Sequence, residues 1–143
     1  MTVRSILAGK GSAVETIEPH FSLAVAVQRM AERGVGALVV VDSKQELIGI
    51  LSERDVVHEL AARGPASLNK PLGEVMTRKI IVCGLADMIK TVMEWMTEGK
   101  FRHIPVVDQN RLVGIVSIGD VVKFRLEEME REQSALRDYI QTA

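Results

Sequence analysis

The chain repeats itself, and no other feature limits its architecture as much. Residues 46–57, ELIGILSERDVV, align with residues 111–122, RLVGIVSIGDVV, at an offset of 65. Leu47/Leu112, Gly49/Gly114, Ile50/Ile115, Ser52/Ser117, Asp55/Asp120, Val56/Val121 and Val57/Val122 are identical pairs. Upstream, LVVVD at 38–42 answers IPVVD at 104–108 at an offset of 66. The one-residue change falls in the turns SKQ and QN, where a deletion costs little. Further back, Met30 matches Met96 and Val27 matches Met93. A fixed period across both halves marks a duplicated supersecondary unit.

Both copies read alike. Leu23, Val27, Met30 and Ala31 share one helical face, as do Ile89, Val92, Met93 and Met96. Gly34 and Gly99 follow as C-caps. An apolar run at 38–41 or 104–107, a polar turn and a second run at 47–51 or 112–116 predict a hairpin of buried strands. Ser52 or Ser117 then stands as an N-cap, with Asp55 or Asp120 three residues on in a capping-box arrangement. A short strand is expected before each unit, around 14–17 and 80–82. The unit is β-α-β-β-α, twice. Neither half is large enough to bury a core alone, so the expected fold is α/β (α+β), two repeats packed sheet to sheet. The expected division is 1–63 for repeat one with its N-terminal segment, 64–71 (GPASLNKP) for the linker, 72–124 for repeat two and 125–143 for a helical tail. In that tail Val122, Leu126, Met129, Gln133, Leu136 and Ile140 space 4-3-4-3-4, a heptad seam on a helix expected from about 118 to 139.

Composition narrows the function. Lys+Arg number 18 against 19 Asp+Glu, and aromatic residues are 3% of the chain. Such a chain lacks the charge and stacking platforms of a nucleic-acid binder. The single cysteine, Cys83, rules out an intramolecular disulfide and a paired-cysteine zinc site. Beside Ile80, Ile81 and Val82 it reads as a small buried hydrophobe. The longest purely apolar run, 37–41, is far short of a membrane span, and MTVRSILAGKGSA lacks a secretory h-region. The expected location is the cytoplasm. His20, His58 and His103 show no metal-ligand spacing, and GKGSA at 9–13 is not a full phosphate-binding loop. No Ser-His-Asp or Cys-His ordering supplies a nucleophile and a base, so no enzyme activity is expected.

The repeated motif is G-h-h-S-x-x-D, h being apolar, at a strand end and helix start. A glycine in the strand admits a flat ring to the backbone. The serine and first-turn amides sit at a helix N-terminus, which favours an anion. An aspartate carboxylate has acceptors for both hydroxyls of a ribose. A helix cap alone accounts for the same Ser and Asp, and two copies in the same setting favour a ligand.

The strings GALVVVD…ELIGILSERDVV and FRHIPVVD…RLVGIVSIGDVV resemble the halves of a tandem CBS-domain pair, over roughly residues 14–124. The opening ILAGKGSAVETIEP with SERDVV is similar to small stand-alone bacterial CBS pairs. The resemblance implies two pseudo-symmetric clefts, a homodimer, and regulation of an unidentified partner protein by a bound adenine nucleotide: AMP, ADP, ATP or NAD. It assigns Ser52 and Asp55 to the ribose in one cleft, Ser117 and Asp120 in the other. Adenine is expected near Thr16, Ile17, Gly36 and Ala37, or near Ile81, Val82, His103, Ile104 and Pro105. Arg54, Arg102, His103, Lys10 and Lys79 are the phosphate candidates. Gly119 replaces Arg54 in the second copy, and Gly36-Ala37 stand where the second has Arg102-His103, so the clefts are expected to differ, with AMP in one and NAD in the other. The competing reading is a structural dimerisation module without a ligand.

Overall fold

The computed structural model describes residues 1–142. Elements follow in the order α1 (Val3–Lys10), β1 (Thr16–Ile17), α2 (Leu23–Arg33), β2 (Ala37–Val41), β3 (Leu47–Ser52), α3 (Glu53–Arg63), α4 (Ile89–Gly99), β4 (His103–Asp108), β5 (Arg111–Ser117) and α5 (Ile118–Thr142). Two short 3-10 turns, Pro65–Asn69 and Leu72–Glu74, join the halves. The expected α/β arrangement of duplicated units is the one observed.

Each hairpin is antiparallel. In β2–β3, Ala37 pairs with Ser52 and Val40 with Gly49; in β4–β5, His103 pairs with Ser117 and Val106 with Gly114. Both ladders break register at the same place, between Val40 and Val41 and between Val106 and Val107. The turns carry the length difference. The first is built on Asp42, whose Oδ1 accepts from Lys44 N and Glu46 N, each at 2.9 Å. The second is a two-residue turn with Gln109 and Asn110 at φ 50 and 63, the left-handed pair that matches strand twist.

Strand β1 lies parallel to β2, with Val39 N donating to Glu15 O at 3.0 Å. The second copy departs from expectation here: residues 80–82 form no strand, and only Cys83 bridges to Val106. Pro105 explains the difference. It occupies the position of Val39 and has no N–H to donate to Ile81. A second departure lies after α4. Gly99 is the last helical residue, and Lys100, not glycine, adopts the left-handed conformation at φ 57. Lys100 is the counterpart of Gly34 at the 66-residue offset, and its carbonyl accepts from Arg54 Nη1 at 2.8 Å.

Two clusters form the core. Ile17, Leu23, Met30, Leu38, Val40, Leu51 and Leu72 belong to the first; Cys83, Ile89, Val92, Met96, Ile104, Val106 and Val121 belong to the second. Val39 and Val41, on the opposite face of β2 from Leu38 and Val40, are equally buried. Both faces of that strand are therefore covered, which suits its unbroken apolar run. By chain position residues 1–13 group with the first repeat, yet α1 joins the second core through Val3, Ile6 and Leu7. Val3 N donates to Asp87 O at 2.9 Å and Arg4 N to Leu85 O at 3.0 Å. Leu7 lies over Gly114 just as Met76 lies over Gly49. The helix thus occupies on the second hairpin the place that the residues around Met76 occupy on the first.

Candidate functional site

Residues from both repeats enclose a cleft of about 690 Å³. The first repeat contributes Gly36, Ser52, Arg54 and Asp55, and the second Lys79, Ile81, Arg102, His103 and Pro105. The two groups lie far apart in sequence and meet because the repeats face each other. Of the other expected site residues, Ile17, Ala37 and Ile104 are buried in the core. Thr16, Val82, Lys10, Ser117 and Asp120 also lie outside the lining of this cleft.

The Ser52–Asp55 unit is a complete capping box. Asp55 Oδ2 accepts from Ser52 N at 2.9 Å and from Ser52 Oγ at 3.1 Å, and Asp55 N donates to Ser52 Oγ at 3.2 Å. Thr77 Oγ1 donates to the other carboxylate oxygen, Oδ1, at 3.1 Å. Each carboxylate oxygen has two lone-pair sites, so Oδ1 keeps acceptor capacity toward the cleft. Capping and ligand recognition are therefore compatible uses of one side chain.

The opposite wall is basic. Lys79, Lys100 and Arg102 line it, and with Arg54 beside Asp55 they outnumber the carboxylates of Glu53 and Asp55. Burial pushes the His103 imidazole below its usual value of 6.5, against the opposing pull of the Glu53 charge. At neutral pH His103 is thus a neutral hydrogen-bonding ring, and the fixed positive charge belongs to Lys and Arg. Gly36 makes room for that ring: a Cβ there would stand 3.2 Å from His103 Cε1. Between the charged walls, Val57 at 62% and Ile81 at 47% exposure leave apolar surface open to water. Phe101, Ile50 and Ile80 extend it. An apolar slot with a few convergent polar groups is the usual composition of a small-molecule site.

Sequence reasoning missed Glu53, Thr77, Lys100 and Phe101. For Lys100 and Phe101 a signal was available in the duplication. Lys100 and Phe101 sit at the 66-residue offset from Gly34 and Val35, next to the Gly36–Arg102 correspondence already in view.

The second motif is in a different state. Ser117 N donates to Asp120 Oδ2 at 2.9 Å and Asp120 N to Ser117 Oγ at 3.2 Å, repeating the cap. Here, however, Lys10 Nζ reaches Asp120 Oδ2 at 2.7 Å and Ile115 O at 3.0 Å. Burial pushes the Asp120 carboxyl up, but the Lys10 ammonium and the Ser117 donors outweigh it and hold the group below 3.8. Cys83, 3% exposed, has its thiol pushed up to about 12 by burial and by the Asp87 charge, as suits the buried hydrophobe expected.

The CBS-domain family profile matches twice, over residues 11–62 and 72–127. The chain belongs to the CBS-domain family. This CBS pair is similar to a CBS-domain protein from Agrobacterium tumefaciens, 40% identical, with a TM-score of 0.85 over 87% of this chain and 92% of that one. A putative signal-transduction protein with CBS domains from Burkholderia ambifaria is 34% identical, with a TM-score of 0.84 over 89% of this chain and 95% of that one. A CBS domain pair solved with 5'-methylthioadenosine and S-adenosyl-L-methionine is 25% identical, with a TM-score of 0.74 over 90% and 98%. Among curated relatives, the mitochondrial CBS-domain protein CBSX3 of Arabidopsis thaliana is 38% identical over 120 residues. The match spans 81% of this chain and 58% of that relative's length. No helix among the described residues is long and apolar enough to cross a membrane.

Proposed function

We propose that this CBS pair is a non-catalytic sensor of an adenine nucleotide, held in the cleft between its repeats. The observation that supports it is the placement of the Ser52–Asp55 acceptor pair across an apolar slot from Lys79 and Arg102. In this reading Asp55 accepts from the ribose hydroxyls. The base lies along Ile81, Phe101 and Pro105, and Arg54, Lys79 and Arg102 take the phosphates. The solved relative containing two adenosine derivatives supports the ligand class. AMP, ADP, ATP and NAD all share that adenosine. The two motifs differ as ligand sites: Lys10 engages Asp120, whereas Asp55 lines the cleft. Binding would draw the two walls together and pass that change to a partner protein in the cytoplasm.

Titration calorimetry with AMP, ATP and NAD tests this on the intact chain and on Asp55→Asn. The asparagine keeps an acceptor for the helix cap and removes the carboxylate charge and one acceptor. A loss of roughly tenfold or more in affinity is expected from weakening charge-assisted hydrogen bonds to the ribose. Equal affinity in the variant, or no binding by the intact chain, would leave the Ser–Asp motif as a helix cap only.

A further inference from the structure

Helix α5 has 25 residues, a length of about 37 Å at 1.5 Å per residue. Only its beginning is held by the body. Val121 is fully buried, and Ile118 and Phe124 pack on the second core. Residues 129–142 are exposed on every side. A helical end of this length is marginal in water without tertiary packing. Along it runs an apolar seam: Val122, Leu126, Met129, Leu136 at 59% and Ile140 at 66% exposure are all open to solvent. The seam lies about a quarter turn around the helix from Val121 and nearly half a turn from Phe124, at 100° per residue. The body therefore leaves it uncovered.

We propose that α5 pairs in parallel and in register with α5 of a second copy of this chain, as a two-stranded coiled coil. The charges beside the seam decide both the occupant and the direction. Numbered as heptads, Leu126, Gln133 and Ile140 are a positions; Val122, Met129 and Leu136 are d positions. In a parallel pair each g residue meets the e residue of the next heptad on the partner. Arg125 then meets the partner's Glu130, and Glu132 meets the partner's Arg137. Arg125 Nη1 bonds Glu128 within its own helix, which leaves other guanidinium donors for the partner. An antiparallel pair with full overlap would instead set Glu130 against Glu130, Glu132 against Glu132 and Lys123 against Arg137. All three are like-charged. Gln133 is the one polar residue in the seam, and a single polar a position fixes register and favours two strands.

Leu126→Cys and Ile140→Cys, made singly in the full chain, test the direction, because Cys83 is buried and does not compete. Air oxidation is expected to give a disulfide-linked dimer from each variant. An antiparallel pair brings at most one of the two positions to its own copy, so cross-linking of only one overturns the proposal. Sedimentation velocity tests the seam. Leu136→Glu, at an exposed position outside the body, is expected to weaken self-association by roughly tenfold or more through a charge in an apolar contact. Glu132→Arg is expected to weaken it, and adding Arg137→Glu to restore it. A monomeric intact chain, or a dimer indifferent to Leu136→Glu, overturns the proposal.

Discussion

Replacing Lys10 by methionine isolates the contact that distinguishes the second motif from the first. The substitution keeps most of the aliphatic stem and deletes the ammonium, with its bonds to Asp120 Oδ2 at 2.7 Å and Ile115 O at 3.0 Å. The side chains are 31% and 23% exposed, so solvent screens the pair in part. Its contribution then lies near the upper end of the surface range, about 1 kcal/mol. Helix α1 is held by something larger. Val3 and Ile6 are fully buried and Leu7 nearly so, and each such side chain contributes about 1.5–3 kcal/mol. The ion pair therefore tunes Asp120 and does not anchor the helix. The expected drop in melting temperature at pH 7 is about 3 °C for a chain of this size. Asp120 is held below 3.8 by Lys10 and the Ser117 donors. Stability from the pair is present above that value and is lost as pH falls through the lowered native value. The gap between the two proteins should therefore be full at pH 7 and close in acid below pH 3.8. Thermal unfolding across that range, with hydrogen exchange of residues 3–10 read in parallel, measures both effects. Loss of protection throughout α1, or a destabilisation several times larger, would show that the ion pair holds the helix and refute the reasoning. A gap that persists unchanged into strong acid would refute it as well.

Two glycines, one inside strand β3 and one in the first turn of α5, should respond in opposite directions. A Cβ at Gly49 would stand 3.1 Å from the backbone oxygen of Thr77, which is bonded to Ile50, so Gly49→Ala should cost about 1–3 kcal/mol in urea unfolding. Gly119 has room, its nearest atom being Ser117 Oγ at 3.6 Å, and Gly119→Ala in the first turn of α5 should stabilise by about 0.5–1 kcal/mol. Cys83, with its thiol at about 12, should resist a maleimide in the folded protein at pH 7 and react at once in guanidinium, as mass spectrometry would show.

The hairpins, α2, α3 and both capping boxes were legible because their signals are local. Period-2 and period-3.6 apolar patterns, and a Ser with an Asp three residues on, need no tertiary information. Residues 80–82 were not legible, since their apolar character resembles a strand. The missing hydrogen bond belongs to Pro105, more than twenty residues away. Helix α1 escaped for a related reason: Val3, Ile6 and Leu7 find their partners in the other half of the chain. In the candidate site, the Ser52–Asp55 wall was visible as a repeated motif. Its pairing with Arg102 and His103, and not with Thr16 and Ile17, required knowing how the repeats face each other. Thr77 has no motif at all and enters only through its bond to Asp55.

The crossing of α1 to the far core also sets an order of events during synthesis. Val3, Ile6 and Leu7 leave the ribosome long before Cys83, Ile89, Val106 and Val121, the residues they pack with. At about 5–20 residues per second the wait is on the order of ten seconds. The first hairpin can close over its own core in that interval, while α1 still lacks its own. The segment made before the first repeat is thus completed only after the second, and a nascent chain holding repeat one alone carries an unsatisfied apolar helix.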